Sequence, residues 1–256
     1  MMKKIVVQIY EVQDPAEAQA LIELGVDHVG SVIVSESDWR LPLVKDTVRA
    51  AKSAGAKSSL IPLYNHPDAV FRTLDYYQPD MIHFCETLAD LNDDGLTCAP
   101  LIRLQEQVRQ RYPQILIMRS IPIVQQDRQA PLDTLRLGRR FEPVSDYFLT
   151  DTLLVNRGGD RLDRQPVEGF VGITGQTCDW DIARKLVAES HIPVILAGGL
   201  SPQNVTAAIQ SVQPAGVDSC TQTNMQAPDG QTIRFRKDLE KVRAFVEAVK
   251  QVEKTI

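Results

Sequence analysis

The sequence has few cysteines, and they are not arranged as in a metal site or a disulfide framework. Its four cysteines, Cys85, Cys98, Cys178 and Cys220, lie far apart and form no CxxC pair. Zinc modules and small secreted proteins both depend on closely spaced cysteines, so this scarcity argues against both classes. We expect a cytoplasmic protein without a metal.

Long apolar runs and concentrated positive charge are missing as well. No stretch approaches the roughly 18 apolar residues of a membrane helix. The apolar run after the two N-terminal lysines ends within about five residues, shorter than the core of a signal peptide. A net charge of -5 argues against non-specific nucleic-acid binding, which needs a positive face. We therefore expect a small-molecule partner, with no nucleic acid and no membrane.

What the 256 residues do contain is a regular alternation of short apolar runs and amphipathic segments. Eight runs have the length and composition of strands, and a helical pattern follows each. They lie at 4–10, 28–34, 58–64, 81–85, 115–123, 146–151, 192–198 and 216–221. No linker-like segment interrupts them. We predict one α/β domain over residues 1–256, a (β/α)8 TIM barrel, with its active site at the C-terminal strand ends.

Three helices have clear sequence signals. Asp14 and Pro15 are an N-cap and a first-turn proline for a helix that ends at Gly25. A sixth helix should begin near Asp179 and an eighth near Lys237. Apolar stripes at helical spacing predict core packing. They comprise Ala18, Leu21, Ile22 and Leu24; Ile182, Leu186 and Val187; and Leu239, Val242, Phe245, Val246 and Val249.

Two segments at the predicted strand ends suggest binding. Residues 153–176 exceed ordinary loop lengths, so they form either a lid or binding loop, or a disordered surface insertion. Gly198 and Gly199 end the seventh strand before a helix that should start at Ser201 and Pro202. Paired glycines and a helix N-terminus favour a phosphate site, completed by Thr221 after strand eight, although a tight turn is the alternative.

These residues also carry a resemblance to a known family. The run GITGQTCDW, then IPVILAGGLSPQNV, then VDSCTQTN and finally RKD resembles the C-terminal third of phosphoribosylanthranilate isomerases. Their pattern there is a glycine-rich GGTG, FDW, GGL-P-NV, VD-SSG-E and KD. PAEAQALIELGVDHVGSVI and YFLTDT are similar to earlier parts of the family, so the resemblance covers the whole chain.

The resemblance implies an Amadori rearrangement of N-(5-phosphoribosyl)anthranilate in tryptophan biosynthesis, without metal or cofactor. A general acid opens the furanose ring and a general base removes the proton at C2. Asp151 matches the family's acid, and a partly apolar site would raise its pKa. The alternative is an aspartate that caps its own loop. Gly175, Gly198, Gly199 and Thr221 match the phosphate site, although Gln222 and Asn224 replace its glycine and glutamate.

The family's base is a cysteine in a KxCG motif on strand one, and here the match places Gln8 and Tyr10 at the lysine and cysteine positions. Both should face the barrel mouth, with Gln8 as a substrate-binding residue and Tyr10 at the position of the base. Tyrosine, with a pKa near 10, is a poor base. Glu11 has a suitable pKa, but it should point to the opposite face unless the strand has already ended. His83 and Cys85 on strand four should share a face, either as a replacement base or as a core pair without a role.

Two arginines are further candidates for the site. Arg40 roughly matches the arginine that binds the anthranilate carboxylate, and its guanidinium suits that anion. Arg119 is either a site residue or a structural charge.

Three functions stay open: an isomerase with a replacement base, a related barrel acting on another phosphorylated small molecule, and a binding protein without turnover. The protein could be a monomer or a homodimer.

Overall fold

Eight parallel strands close into a barrel in chain order, which confirms the predicted (β/α)8 fold. The computed structural model describes residues 4–88, 98–159 and 162–254. The strands are β1 (Val6–Ile9), β2 (His28–Ile33), β3 (Lys57–Pro62), β4 (Met81–Phe84), β5 (Leu116–Val124), β6 (Tyr147–Leu153), β7 (Val194–Leu196) and β8 (Gly216–Ser219). Gln8 of β1 pairs with Asp218 of β8 where the barrel closes.

Helices between the strands cover the outside of the barrel. They are α1 (Pro15–Leu24), α2 (Pro42–Ser53), α3 (Pro67–Tyr77), α4 (Cys98–Arg111), α5 (Thr134–Phe141), α6 (Trp180–Glu189), α7 (Val205–Val212) and α8 (Leu239–Glu253). Asp14, Asp179 and Asp238 cap α1, α6 and α8, each accepting hydrogen bonds from two first-turn amides. The predicted starts of α1 and α6 are therefore confirmed, and α8 begins two residues after Lys237.

Apolar faces of the helices form the core around the barrel. The α8 stripe of Val242, Phe245, Val246 and Val249 is buried, as the helical spacing predicts. Leu239 is an exception, since 40 % of it is exposed at the first position of the helix. Its placement on the buried stripe was wrong.

Some element boundaries also differ from the sequence predictions. Strand β1 ends at Ile9, because Glu11 adopts a left-handed φ of 62° that turns the chain out of the strand. Helix α7 begins at Val205 rather than at Ser201, whose backbone amide donates to the Asn204 side chain at 2.8 Å within a turn. An unpredicted hairpin of β9 (Asn224–Gln226) and β10 (Thr232–Lys237) precedes α8.

The described part of the segment 153–176 lies across the C-terminal mouth of the barrel. Backbone amides of Val171 and Thr87 donate to the carbonyl groups of Cys85 and Gly169 at 2.8 and 3.0 Å. The segment is therefore a wall of the mouth rather than a surface insertion. None of the helices in the described residues has the length and apolar character needed to cross a membrane.

Candidate active site

Two adjoining cavities open at the C-terminal ends of the strands. The first, which we call the apolar cavity, has about 530 Å³ of empty space including its opening to solvent, and its apolar walls include Val32, Ile61, Leu63, Leu149, Phe170 and Val171. The second, which we call the glycine cavity, has about 330 Å³ of empty space including its opening and is lined by Gly175, Gly198, Gly199, Thr221 and Gln222. Asp151, Ile173, Asp218 and Cys220 line both cavities. The two cavities therefore meet at these four residues.

Asp151 projects from the end of β6 into this meeting point. Burial raises the pKa of its carboxyl group to about 7, and the hydrogen bond that Ser120 Oγ donates to Oδ2 at 2.9 Å works against that rise. Gly172 of the overlying segment lies directly against the carboxyl group. The group therefore holds a proton over a pH range in which an ordinary aspartate is ionised, as a general acid must.

A chain of hydrogen bonds connects Asp151 to Tyr10 across the barrel. His83 Nε2 lies 2.8 Å from Ser120 Oγ, and His83 Nδ1 lies 2.8 Å from the Tyr10 hydroxyl. The Tyr10 hydroxyl in turn lies 2.6 Å from Ser59 Oγ. When Asp151 is ionised, Ser120 donates to it, so His83 donates from Nε2 and accepts at Nδ1 from Tyr10. The direction of every bond is then set by the charge on Asp151.

None of the strand-one and strand-four candidates is poised to remove a proton. Burial raises the pKa of Tyr10 well above its ordinary 10. Burial and the nearby Arg119 lower the pKa of His83 to about 3. Burial likewise raises the pKa of the Cys85 thiol. At neutral pH the phenol and the thiol keep their protons, and the imidazole is neutral but weakly basic.

The bulky ring of Tyr10 fits inside the barrel because β2 carries a glycine beside it. A Cβ atom added to Gly30 would lie 2.1 Å from Tyr10 Cδ1. Any side chain at position 30 would therefore displace the ring.

Gln8 is fully buried and is hydrogen-bonded to the side chains of Asp218 and His28. Its Nε2 donates to Asp218 Oδ1 at 3.2 Å, and its Oε1 lies 3.1 Å from His28 Nδ1. Burial lowers the pKa of His28 to about 4, so His28 is neutral. Gln8 lines neither cavity, and its placement makes it a partner of Asp218.

Glu11 lines the apolar cavity, but its carboxylate is occupied. Arg234 of β10 forms a salt bridge with it, with Nε at 2.7 Å, and Asn224 Nδ2 donates to it at 3.3 Å. The strand has ended before Glu11, which is the exception that the prediction allowed, and the left-handed turn at this residue sets the direction of its side chain.

The glycine cavity brings together all four residues predicted for phosphate binding. Gly199 has a φ of 58°, and an added Cβ would lie 2.7 Å from the carbonyl carbon of Gln176. Only glycine fits such a close approach of two backbones. Gln222 donates to the Gly175 carbonyl at 2.9 Å, so its side chain closes one wall. The short helical turn Thr221–Thr223 borders the cavity, a common place for phosphate in barrels.

The two arginines lie outside the cavities. Arg40 is exposed, and its guanidinium stacks on Tyr76 with Cζ 4.9 Å from the ring centroid. Arg119 is fully buried outside the barrel, where it forms a salt bridge with Glu86 and donates to Gln105 at 2.7 Å. Of the described residues that line the apolar cavity, none is a lysine or an arginine. Arg119 is thus a structural charge.

Asp218, Ser120 and Ser59 are the polar site residues that sequence reasoning missed. Strand alternation could have found Ser120, two residues after the inward-facing Met118. Asp218 is part of the VD motif on strand eight, but the pattern of a single strand does not predict its contact with Gln8 of strand one. Within the described ranges, no three His, Cys, Asp or Glu side chains are grouped to hold a metal ion.

Known proteins resemble this chain in sequence and in fold. Residues 109–248, more than half of the chain, match the family model for N-(5'phosphoribosyl)anthranilate (PRA) isomerase. An N-(5'-phosphoribosyl)anthranilate isomerase of Haloferax volcanii is 28% identical over 252 residues, which cover 95% of this chain and 92% of the relative. One from Methanocella arvoryzae is 36% identical over 113 residues, 44% of this chain and 43% of the relative.

Crystal structures agree with this assignment at the level of the fold. Phosphoribosyl anthranilate isomerase from Thermotoga maritima superposes with a TM-score of 0.65 at 18% identity, over 97% of this chain and 100% of that one. The match of the family model decides the identity, because it extends over the motifs that form the glycine cavity and carry Asp151 and Asp218. The chain belongs to the phosphoribosylanthranilate isomerase family.

Proposed function

We propose that the chain is an aldose-ketose isomerase that carries out an Amadori rearrangement in tryptophan biosynthesis. Its substrate would be a phosphorylated aminoaldose of the N-(5'-phosphoribosyl)anthranilate type. The single observation that carries this proposal is the position of Asp151, which lines both the glycine cavity and the apolar cavity. Its raised pKa of about 7 makes it a proton donor at that position. No metal or cofactor has a part in this reaction.

The two cavities suit the two ends of such a substrate. The backbone of Gly175, Gly198 and Gly199 and the hydroxyl of Thr221 offer hydrogen-bond donors to a phosphate. The apolar cavity, with Phe170 and Leu149 in its walls, suits a planar aromatic group. The ribose would then lie between them, with its ring oxygen near Asp151.

Protonation by Asp151 opens the furanose ring. Its proton passes to the ring oxygen as the bond from that oxygen to C1 breaks, and the lone pair of the nitrogen forms the C1=N double bond. The buried environment that raises the pKa of Asp151 makes this transfer easier, because a substantial share of the group keeps its proton near pH 7.

Growth of a tryptophan auxotroph that lacks the isomerase tests the proposal. The wild-type chain should restore growth and Asp151→Asn should not. Asp181→Asn, at an exposed position in the first turn of α6, is the matched control and should restore growth. A soluble wild type that fails to support growth would refute the isomerase function, and growth with Asp151→Asn would refute the role of Asp151.

A second candidate is a barrel that binds another phosphorylated small molecule without isomerase activity. The raised pKa of Tyr10 and the placement of Arg40 away from the cavities favour it. Thermal unfolding with inorganic phosphate, ribose 5-phosphate and the aminoaldose separates the candidates, because a specific ligand raises the melting temperature. Stabilisation by ribose 5-phosphate in a protein that never turns over the aminoaldose would support this second function.

The reaction, and four cysteines that form no disulfides with one another, are consistent with a cytoplasmic protein. A monomer or a homodimer would both serve this function. One related crystal structure describes generated monomers of a dimeric phosphoribosylanthranilate isomerase from Thermotoga maritima, so light scattering of the purified chain is the direct measurement.

A further inference from the structure

The two cavities meet at four residues, and these decide what lies beside the reacting part of a ligand. A molecule with its phosphate in the glycine cavity and its apolar group in the apolar cavity must cross between Asp151, Ile173, Asp218 and Cys220. Ile173 has no proton to exchange, and burial raises the pKa of the Cys220 thiol. Only the two carboxyl groups remain for proton transfer at the crossing.

We propose that Asp218 is the second proton-transfer residue of the site and removes the carbon-bound proton while Asp151 serves the ring oxygen. This inference rests on the proposed isomerase function. It assigns to β8 the base that is missing from β1, where Tyr10 is bound to Ser59 and His83.

The hydrogen-bond partner of Asp218 is the neutral side chain of Gln8. A cation in that place would have kept the carboxyl group ionised. Gln8 donates to it from β1, and no salt bridge of Asp218 occurs in the described part of the chain. Lys237 of β10 is the nearby cation, but its ammonium donates to the Cys220 carbonyl at 3.0 Å and to Asn224 Oδ1. The carboxyl group is therefore free to gain and lose a proton.

The other titratable groups that act on Asp218 come from β6, from the end of β1 and from the end of its own strand. They are Asp151, Tyr10 and Cys220. Burial raises the pKa of Asp218 to about 8, and the charge of Asp151 adds to that rise, whereas the Gln8 hydrogen bond and Lys237 lower it. With the pKa of Asp151 at about 7, the two carboxyl groups share one proton near neutral pH.

The shared proton makes the two roles compatible. Because the two pKa values lie close together, both singly protonated forms are populated near neutral pH, and the form with the proton on Asp218 predominates. The productive form, with a protonated Asp151 and an ionised Asp218, is the minor form of the two. A substrate bound between the groups uses both in one turnover.

The proton and electron balance needs no co-reactant. After Asp151 has opened the ring, Asp218 takes the proton from C2, the C–H electron pair forms the C1=C2 bond, and the C1=N pair returns to nitrogen. The resulting enol loses its hydroxyl proton and gains a proton at C1 to become the ketone. C1 is reduced and C2 oxidised within one molecule, and each carboxyl group returns to its starting state.

Steady-state kinetics of the full chain with the aminoaldose test the role of Asp218. Asp218→Asn should lower kcat by about 100-fold or more, the usual contribution of one acid or base, with KM changed much less. Asp181→Asn is the exposed control and should match the wild type. Urea unfolding of each variant checks that it is folded.

Substitutions of Gln8 test whether Asp218 transfers a proton. They should change the pH dependence of kcat, which would stay the same if Asp218 had only a structural role. Gln8→Lys puts a cation beside Asp218 and should lower its pKa by about 1–3 units, which moves the acidic limb of the kcat profile to lower pH. Gln8→Leu removes the donated hydrogen bond and should raise the pKa of Asp218, which lowers kcat along that limb because less of the enzyme carries an ionised Asp218. In a carbon-13 NMR titration, the midpoint of the Asp218 carboxyl group should move to lower pH in Gln8→Lys and to higher pH in Gln8→Leu.

The outcomes separate this inference from the function on which it rests. A folded wild type without isomerase activity overturns both. An active wild type whose Asp218→Asn variant keeps its kcat, or whose two Gln8 variants leave the acidic limb unchanged, overturns only the role of Asp218. Loss of kcat in Asp218→Asn with opposite effects in the two Gln8 variants is the expected result.

Discussion

Replacing the Asp218 carboxyl group by an amide should stabilise the protein, and the gain should grow with pH. The group is 6 % exposed, and its pKa rises from 3.8 to about 8 on folding. Between these values the unfolded chain releases the proton while the folded protein keeps it, so the free energy of unfolding falls as the pH increases. Below pH 4 both states are protonated and the effect disappears.

The two pKa values determine the size of the effect. At pH 5 the buried carboxyl group costs about 2 kcal/mol, and at pH 9 about 6 kcal/mol, relative to a group that does not titrate. Asp218→Asn should therefore gain about 4 kcal/mol over the wild type between pH 5 and pH 9. That is a large part of the usual 5–15 kcal/mol stability of a protein.

Urea unfolding at pH 5, 7 and 9 measures this difference directly. The comparison of variant with wild type at each pH cancels the titration of groups that do not interact with Asp218. Asp181→Asn, at an exposed position, should show no such trend. A difference between Asp218→Asn and the wild type that is constant from pH 5 to pH 9 would refute the raised pKa, and with it the sharing of a proton with Asp151.

Three further predictions follow from the same structure. Ser120→Ala removes the hydrogen bond donated to the Asp151 carboxylate, so the pKa of Asp151 should rise above about 7 in an NMR titration; an unchanged midpoint would contradict the role of Ser120. Gly199→Ala should cost at least about 1 kcal/mol and abolish thermal stabilisation by phosphate, whereas Gly55→Ala, with the same sign of φ but open space around it, should keep that stabilisation; equal behaviour of the two variants would count against the glycine cavity. Arg119→Met should lose about 3–5 kcal/mol in urea unfolding because it leaves Glu86 buried and unpaired, and adding Glu86→Leu should restore most of it; a double variant no better than the single one would show that the lost pairing is not the cause.

Local patterns in the sequence were enough for the fold and for part of the site. Strand and helix periodicities depend only on neighbouring residues, which is why the barrel and the caps at Asp14 and Asp179 were predictable. The glycines of the predicted phosphate site were found in the same way, because a motif at the end of a strand stays together in the fold. Asp151 was predicted from the resemblance of YFLTDT to the family's sixth strand.

Contacts between distant strands were not predictable from such patterns. Gln8 and Asp218 are 210 positions apart and Tyr10 and His83 are 73 positions apart, yet each pair is joined by a hydrogen bond. Sequence reasoning therefore searched for a base near β1 and β4, and assigned no role to Asp218 on β8.

The sequence by itself determined the order of strands and helices, the family and the residues at each strand end, because these depend on local pattern and on motifs. Only the tertiary structure decided which of those residues could exchange protons. Barrel closure removes water from Tyr10, His83, Asp151 and Asp218 and sets their hydrogen-bond partners. A pKa follows from burial and from neighbouring charges, and in this protein both are properties of the closed barrel.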